Sequence, residues 1–287
     1  MRWEGRRKSS NVEDRRGARR SPGLIGGGIT TLVVLLFAAY TGLDPTMLMQ
    51  GLETVTASTG GSASQPLPGN LENDPAANRV AVVLADTEDV WGEIFAAAGQ
   101  RYQPPALVLF TGATPSACGT GQAAMGPFYC PADRKAYVDL SFFNDLQNRF
   151  GAPGDFAQAY VVAHEVAHHV QNLVGTSGKV RDLQRSGRNQ AEVNELSVRL
   201  ELQADCYAGV WANRADKLHN ILEEGDLDEA LNAASAIGDD RLQRQSRGTV
   251  TPDSFTHGSS EQRVRWFRAG YQSGNPDACD TFGAATL

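Results

Sequence analysis

The chain has 287 residues, 41% hydrophobic and 21% charged, which allows one or two domains with a buried core and excludes a wholly disordered protein. Its net charge of −7 is uneven: the first 20 residues carry +5 and the remainder −12. That balance argues against a nucleic-acid partner for the body and for a sorting signal in the head, while four cysteines are too few for a disulfide scaffold.

Residues 1–23 form the basic head. From Leu24 to Leu43 twenty residues carry no charge, enough for about 30 Å of helix, the thickness of a hydrocarbon core. Basic residues before this run and Asp44 after it predict a single-pass membrane protein, N-terminus cytoplasmic and body extracytoplasmic. A cleaved signal peptide is the rival, but its apolar region is normally about 7–15 residues. The longer run predicts an uncleaved transmembrane anchor over 24–43. Residues 44–77 read as a flexible linker, because 57–77 is rich in Gly, Ser, Pro and Asn and has two Leu as its only large apolar side chains. Residues 78–287 are then the globular domain.

In that domain Asn78 to Gln100 has apolar residues at helical spacing. Ala106–Phe110 and Ala136–Leu140 read as short strands, the first bounded by Pro105 and Gly112. Ser141 is a candidate cap for a short helix after the second. Helical periodicity follows over 155–174, 190–213, 226–247 (with a break near Gly238) and 259–272. Few strands followed by many helices predicts an α+β fold, mainly helical with a small sheet, behind the N-terminal transmembrane helix.

The first long helix contains His164-Glu165-Val166-Ala167-His168, an H-E-x-x-H pattern. Residues four apart share a helix face, so both imidazoles can reach one ion. Val162, Val166, Val170 and Leu173 lie on the opposite side, which points the valines to a core and the histidines to a cleft. His169 lies beside the valine stripe and is not expected to ligate. With five histidines in the chain, chance matches number on the order of 0.004.

A catalytic zinc site needs a third protein ligand and an open position for water. Glu201, Asp205 and Gly209 lie four apart along the next long helix. Glu201 is the candidate third ligand, with Asp205 accepting the free ring N–H of a zinc histidine; Asp205 as ligand is the rival assignment. Gly209 permits close approach to a neighbouring helix. Glu165 is the candidate general base for a water activated by one Zn2+ per chain. His257 or Tyr207 is the candidate donor to a developing oxyanion, with a helix-entry role as the alternative for His257. Cys118 and Cys130 flank a loop poor in regular structure and are expected to pair if the body is extracytoplasmic; Cys206 and Cys279 are either the second pair or free thiols.

These residues resemble the neutral zinc metallopeptidases of bacteria (YpfJ-like). The resemblance runs over nearly the whole chain. It includes Asn11-Val12-Glu13-Asp14-Arg15-Arg16-Gly17, Gly126-Pro127-Phe128-Tyr129-Cys130-Pro131, His164 to Gln171, the Glu201/Asp205 helix and Thr256-His257-Gly258-Ser259-Ser260-Glu261-Gln262-Arg263. It implies a zincin-like, membrane-anchored, zinc-dependent peptidase. The Glu-x-x-x-Asp helix is similar to that of HtpX and the CAAX prenyl proteases, which implies Glu201 as zinc ligand; in Thr256-His257-Gly258 this chain has Gly where they have Pro. Asp205-Cys206-Tyr207-Ala208-Gly209 faintly resembles the Asp-x-x-Tyr-Gly of aspzincins. The expected function is hydrolysis of peptide bonds in a peptide or protein substrate. The alternatives are a zinc amide hydrolase acting on cell-wall peptides and a membrane-tethered binding module with a structural zinc.

Overall fold

The computed structural model describes residues 1–17, 73–187 and 189–287. A four-stranded sheet has the order β1 (Val12–Asp14), β2 (Ala106–Phe110), β6 (Lys135–Asp139), β5 (Phe128–Cys130). The first two pairings are parallel, and β5 runs antiparallel to β6 as an edge strand. Strands β3 (Ala113–Ser116) and β4 (Gly119–Gln122) make a separate hairpin. The fold is α+β and mainly helical, with a small sheet.

The helices are α1 (Pro75–Ala97), α2 (Ser141–Asn148), α3 (Asp155–Leu173), α4 (Thr176–Arg185), α5 (Gln190–His219), α6 (Asp226–Ala236), α7 (Asp239–Arg247) and α8 (Ser260–Ser273). Each long helix has an identifiable start. Asp74 accepts the N–H groups of Ala76 and Ala77 at the head of α1, and Asn189 accepts that of Glu192 at the head of α5. Ser259 and Gln262 form a reciprocal capping box on α8. Helix α3 borrows its cap: Glu229 of α6 accepts the N–H of Phe156 at 3.0 Å. Gly154 is required there, since a Cβ would collide with the Glu229 carboxylate and φ is +116°.

The core lies between α1, α3, α5 and α8, with Phe156 stacked on Trp211 and Tyr160 edge-on to Phe267. Helix α8 packs most extensively on α5. Their backbones nearly touch: a Cβ on Gly209 would strike the Phe267 carbonyl, and one on Gly270 the Cys206 carbonyl. Two disulfides, Cys118–Cys130 and Cys206–Cys279, tie the β3–β4 hairpin to β5 and the C-terminal segment to α5.

The expected membrane architecture is corrected by the structure. Among the described residues no helix is long and apolar enough to cross a membrane; the run 24–43 lies outside them, as does the expected linker up to residue 72. The basic head was expected across a membrane from the body, but residues 1–16 fold into one unit with 69–287. Strand β1 pairs with β2 from Val12↔Leu107 to Asp14↔Leu109, and Ser9 N–H donates to Ala81 O. The head's cations have partners in the body: Arg6 grips Asp86 with both terminal nitrogens (2.7 and 2.6 Å), Arg7 reaches Glu88 and Asp89, and Arg16 pairs with Asp74. Three of the charges that read as a topogenic signal, on Arg6, Arg7 and Arg16, are thus in structural ion pairs. The assignment of the head and the body to opposite sides of a membrane is overturned.

Candidate metal centre

Helix α3 presents His164 and His168 one turn apart, and α5 brings Glu201 across from them. His164 Nε2 lies 3.1 Å from Glu201 Oε2, and His168 Nε2 lies 3.4 Å from Glu201 Oε1. One potential ligand atom from each residue falls within 4.8 Å of the others. Ligands at the usual Zn–N and Zn–O lengths in a tetrahedron are about 3.4 Å apart, so the donor set fits a zinc ion.

The ring orientation of His168 follows from its neighbours. Gln171 Nε2 donates to Leu200 O at 2.7 Å, so its Oε1 is an acceptor, 2.9 Å from His168 Nδ1. His168 Nδ1–H thus donates to Gln171, and Nε2 is the ring nitrogen that faces Glu201. Asp205 Oδ1 lies 2.9 Å from His164 Nδ1, but out of line for a hydrogen bond, so that buried nitrogen has no hydrogen-bond partner. Asp205 is itself completely buried, held by Arg263 and the Tyr160 hydroxyl. Burial pushes its carboxyl up, but Arg263 and His164 hold it below the ordinary range. Burial likewise opposes ionisation of Glu201, which His168 and His164 override, holding it well below.

Glu165 is buried on the wall of the same cleft, and burial raises its pKa. The cleft measures about 1100 Å³ and is also lined by Phe128 and Tyr129 of the edge strand, and by His257. Tyr207 packs edge-on to Trp91 and is not among the lining residues; of the two candidate oxyanion donors, His257 alone faces the cleft. His169 turns away. Its Nε2–H donates to Gln103 O (2.6 Å) and its Nδ1 accepts from Tyr129 O–H (3.0 Å), while burial lowers its pKa to about 4.

Sequence reasoning missed Asp239, Arg263, Tyr160 and Gln171 as supports of the site. Gln171 lies three residues beyond His168, a helical spacing that could have found it. Among the described residues two further clusters, Asp86/Asp89/His219 and Asp155/Asp226/Glu229, include ion pairs, Asp86 with Arg6, Asp89 with Arg7, and Asp155 and Asp226 with the Met1 ammonium.

Two helices thus bring a His-Glu-x-x-His motif and a separate glutamate to one cleft, a donor set of the kind that could hold a metal ion. The chain belongs to the family described as "Putative neutral zinc metallopeptidase", whose model matches residues 1–282. It is 53% identical over 292 residues to the uncharacterised protein YpfJ of Escherichia coli, covering 99% of each chain. It is 40% identical over 263 residues to an uncharacterised protein of Mycobacterium tuberculosis, covering 87% of this chain and 86% of the relative. No solved structure matches.

Proposed function

We propose that the protein is a zinc-dependent peptidase in which His164, His168 and Glu201 hold one zinc ion. The observation that carries this is the meeting of those three side chains, 3.1 and 3.4 Å apart, with Glu165 on the same cleft wall. Bound there, zinc supplies Lewis acidity toward water and the scissile carbonyl.

Glu165, adjacent to His164 in sequence, takes the proton of the attacking water and returns it to the leaving amine. Burial raises its pKa above the ordinary carboxylate value, which favours proton acceptance by this group. Asp205 Oδ1 stands behind His164, 2.9 Å from its Nδ1, as a negative charge on the far side of the ring. His257, set on the same cleft by Asp239, donates to the developing oxyanion. Strand β5 lines the cleft and, among the described residues, is paired on one side only, which favours an extended peptide laid beside it by strand addition.

The test compares wild type with Glu165→Gln and His168→Ala, reading zinc per chain and hydrolysis of a peptide library. Glu165→Gln should keep its zinc and lose about 10²–10⁴ in turnover. His168→Ala should lose metal and activity together. Full activity in Glu165→Gln refutes the general base. A zinc-loaded wild type that cleaves cell-wall amides but no peptide favours the amide hydrolase, and one that cleaves neither favours a structural zinc.

A further inference from the structure

We infer that Arg263 is a positioning residue of this centre, gripping Asp205 side-on and so fixing the carboxylate oxygen that faces His164 Nδ1. The inference rests on the zinc reading above and adds a residue from a third helix to it.

The geometry is a closed cluster. Arg263 Nε donates to Asp205 Oδ2 at 2.8 Å and its Nη2 donates to Oδ1 at 2.9 Å. The same Nη2 lies 3.1 Å from the Tyr160 hydroxyl, which donates to Asp205 Oδ1 at 2.5 Å. That Oδ1 is the oxygen 2.9 Å from His164 Nδ1. Tyr160 and His164 are on α3, Asp205 on α5 and Arg263 in the first turn of α8. The side chains of Asp205 and Arg263 are 0% and 3% exposed.

A carboxylate held at one oxygen can still turn about its last torsion, which is broad. A planar guanidinium fork holding both oxygens removes that freedom. Burying such a pair costs several kcal/mol per ion, and apolar residues of the same volume would pack the three helices at least as well. Stability alone therefore gives little reason for an arginine here, whereas fixing the carboxylate oxygen that stands 2.9 Å behind a zinc histidine does. The close approach of α5 and α8 at Gly209 and Gly270 brings Arg263 within reach, and Cys206, next to Asp205, is pinned by its disulfide.

The test uses the full chain with Arg263→Met, Arg263→Lys, Asp205→Asn and the double variant Arg263→Met/Asp205→Asn. Three quantities are read: zinc Kd by competition with a chelator, the visible spectrum of the Co2+-substituted protein, and Tm. Arg263→Met should weaken zinc by about 10–100-fold, as expected of a lost partner behind a ligand, and alter the Co2+ bands. Arg263→Lys, which keeps the charge without the fork, should recover part of the affinity. The double variant removes both buried charges, so its Tm should recover while zinc stays weak.

Arg263→Met with a lowered Tm but wild-type Kd and Co2+ spectrum would make Arg263 merely structural and overturn the inference. Should that variant not fold, the double variant decides: wild-type zinc affinity there has the same consequence. Wild-type protein that binds no zinc removes the zinc reading itself, before any variant is compared.

Discussion

Asp239 and His257 are joined twice: Asp239 Oδ2 accepts the backbone N–H of His257 at 2.6 Å, and its Oδ1 lies 3.3 Å from His257 Nδ1. The same Oδ2 accepts the N–H groups of Thr256 and Gly258. One carboxylate at the start of α7 thus organises the whole segment that carries His257 along the cleft. The hydrogen bond to Asp239 also raises the His257 pKa.

Removing this carboxylate should release the segment without touching the metal ligands. Asp239→Ala is expected to keep zinc stoichiometry, to lose about 1.5–3 kcal/mol of stability, the scale of hydrogen bonds to a charged group, and to lower kcat more than it raises KM. Asp239→Asn retains one acceptor and should fall between. The measurements are elemental analysis, thermal unfolding and steady-state kinetics. Wild-type kinetics in Asp239→Ala would take His257 out of the reaction.

Glu201 and Asp205 lie one turn apart on α5 but should differ sharply in their effect on zinc. Glu201→Gln removes a proposed ligand and should abolish tight binding, whereas Asp205→Asn should cost about 10–100-fold. Chelator competition on both variants orders them. The reverse order would make Asp205 the ligand.

Arg6 is expected to matter for stability far more than an N-terminal surface arginine would. The Asp86 side chain is 3% exposed, and Arg6→Ala leaves it as an unpaired buried carboxylate, a loss of about 3–5 kcal/mol. The loss should depend on pH. Burial pushes the Asp86 carboxyl up to about 6 in the folded protein despite Arg6, above its unfolded value. The folded state therefore holds this proton more tightly, and its contribution to stability falls as pH rises through the window up to about 6. Without Arg6 the window extends higher, so the deficit of Arg6→Ala should be small near pH 5 and full at pH 8. Denaturant titrations at both values check this; a deficit that does not change with pH would assign the loss to something other than Asp86.

The Cys206–Cys279 bridge spans 73 residues, for which chain entropy suggests about 4 kcal/mol. Cys206→Ala/Cys279→Ala should lower the unfolding midpoint in urea accordingly. A midpoint equal to that of wild type would mean the bridge constrains nothing in the unfolded chain.

Local periodicity carried most of what the sequence revealed. The His164/His168 pair and the Glu201–Asp205–Gly209 line are each read from spacing within one element, and the strand at Ala106–Phe110 from an apolar run between breakers, which the structure forms over those residues. The grip of Arg263 on Asp205 crosses 58 residues and that of Asp239 on His257 crosses 18, between helices whose packing no local pattern encodes. The head was misread for the same reason. A count of eight basic residues is the same whether they face lipid headgroups or, as Arg6 and Arg7 do, carboxylates some eighty residues away. Strand β1, three residues long with one buried, is too short to announce itself by alternation.

Arg16 and Asp74 form an ion pair, and Asp74 is also the cap of α1, so two residues far apart in sequence meet at one spot. Bringing together two residues that far apart in a chain costs about 3–4 kcal/mol of entropy, a cost that rises only slowly with their separation. The first sixteen residues consequently behave as a detachable piece of the sheet, held by β1 and by the pairs of Arg6, Arg7 and Arg16 rather than by chain continuity. A nick between residues 17 and 72 should therefore leave two fragments associated. A synthetic peptide of residues 1–16 should reconstitute, in trans, a body begun at residue 73.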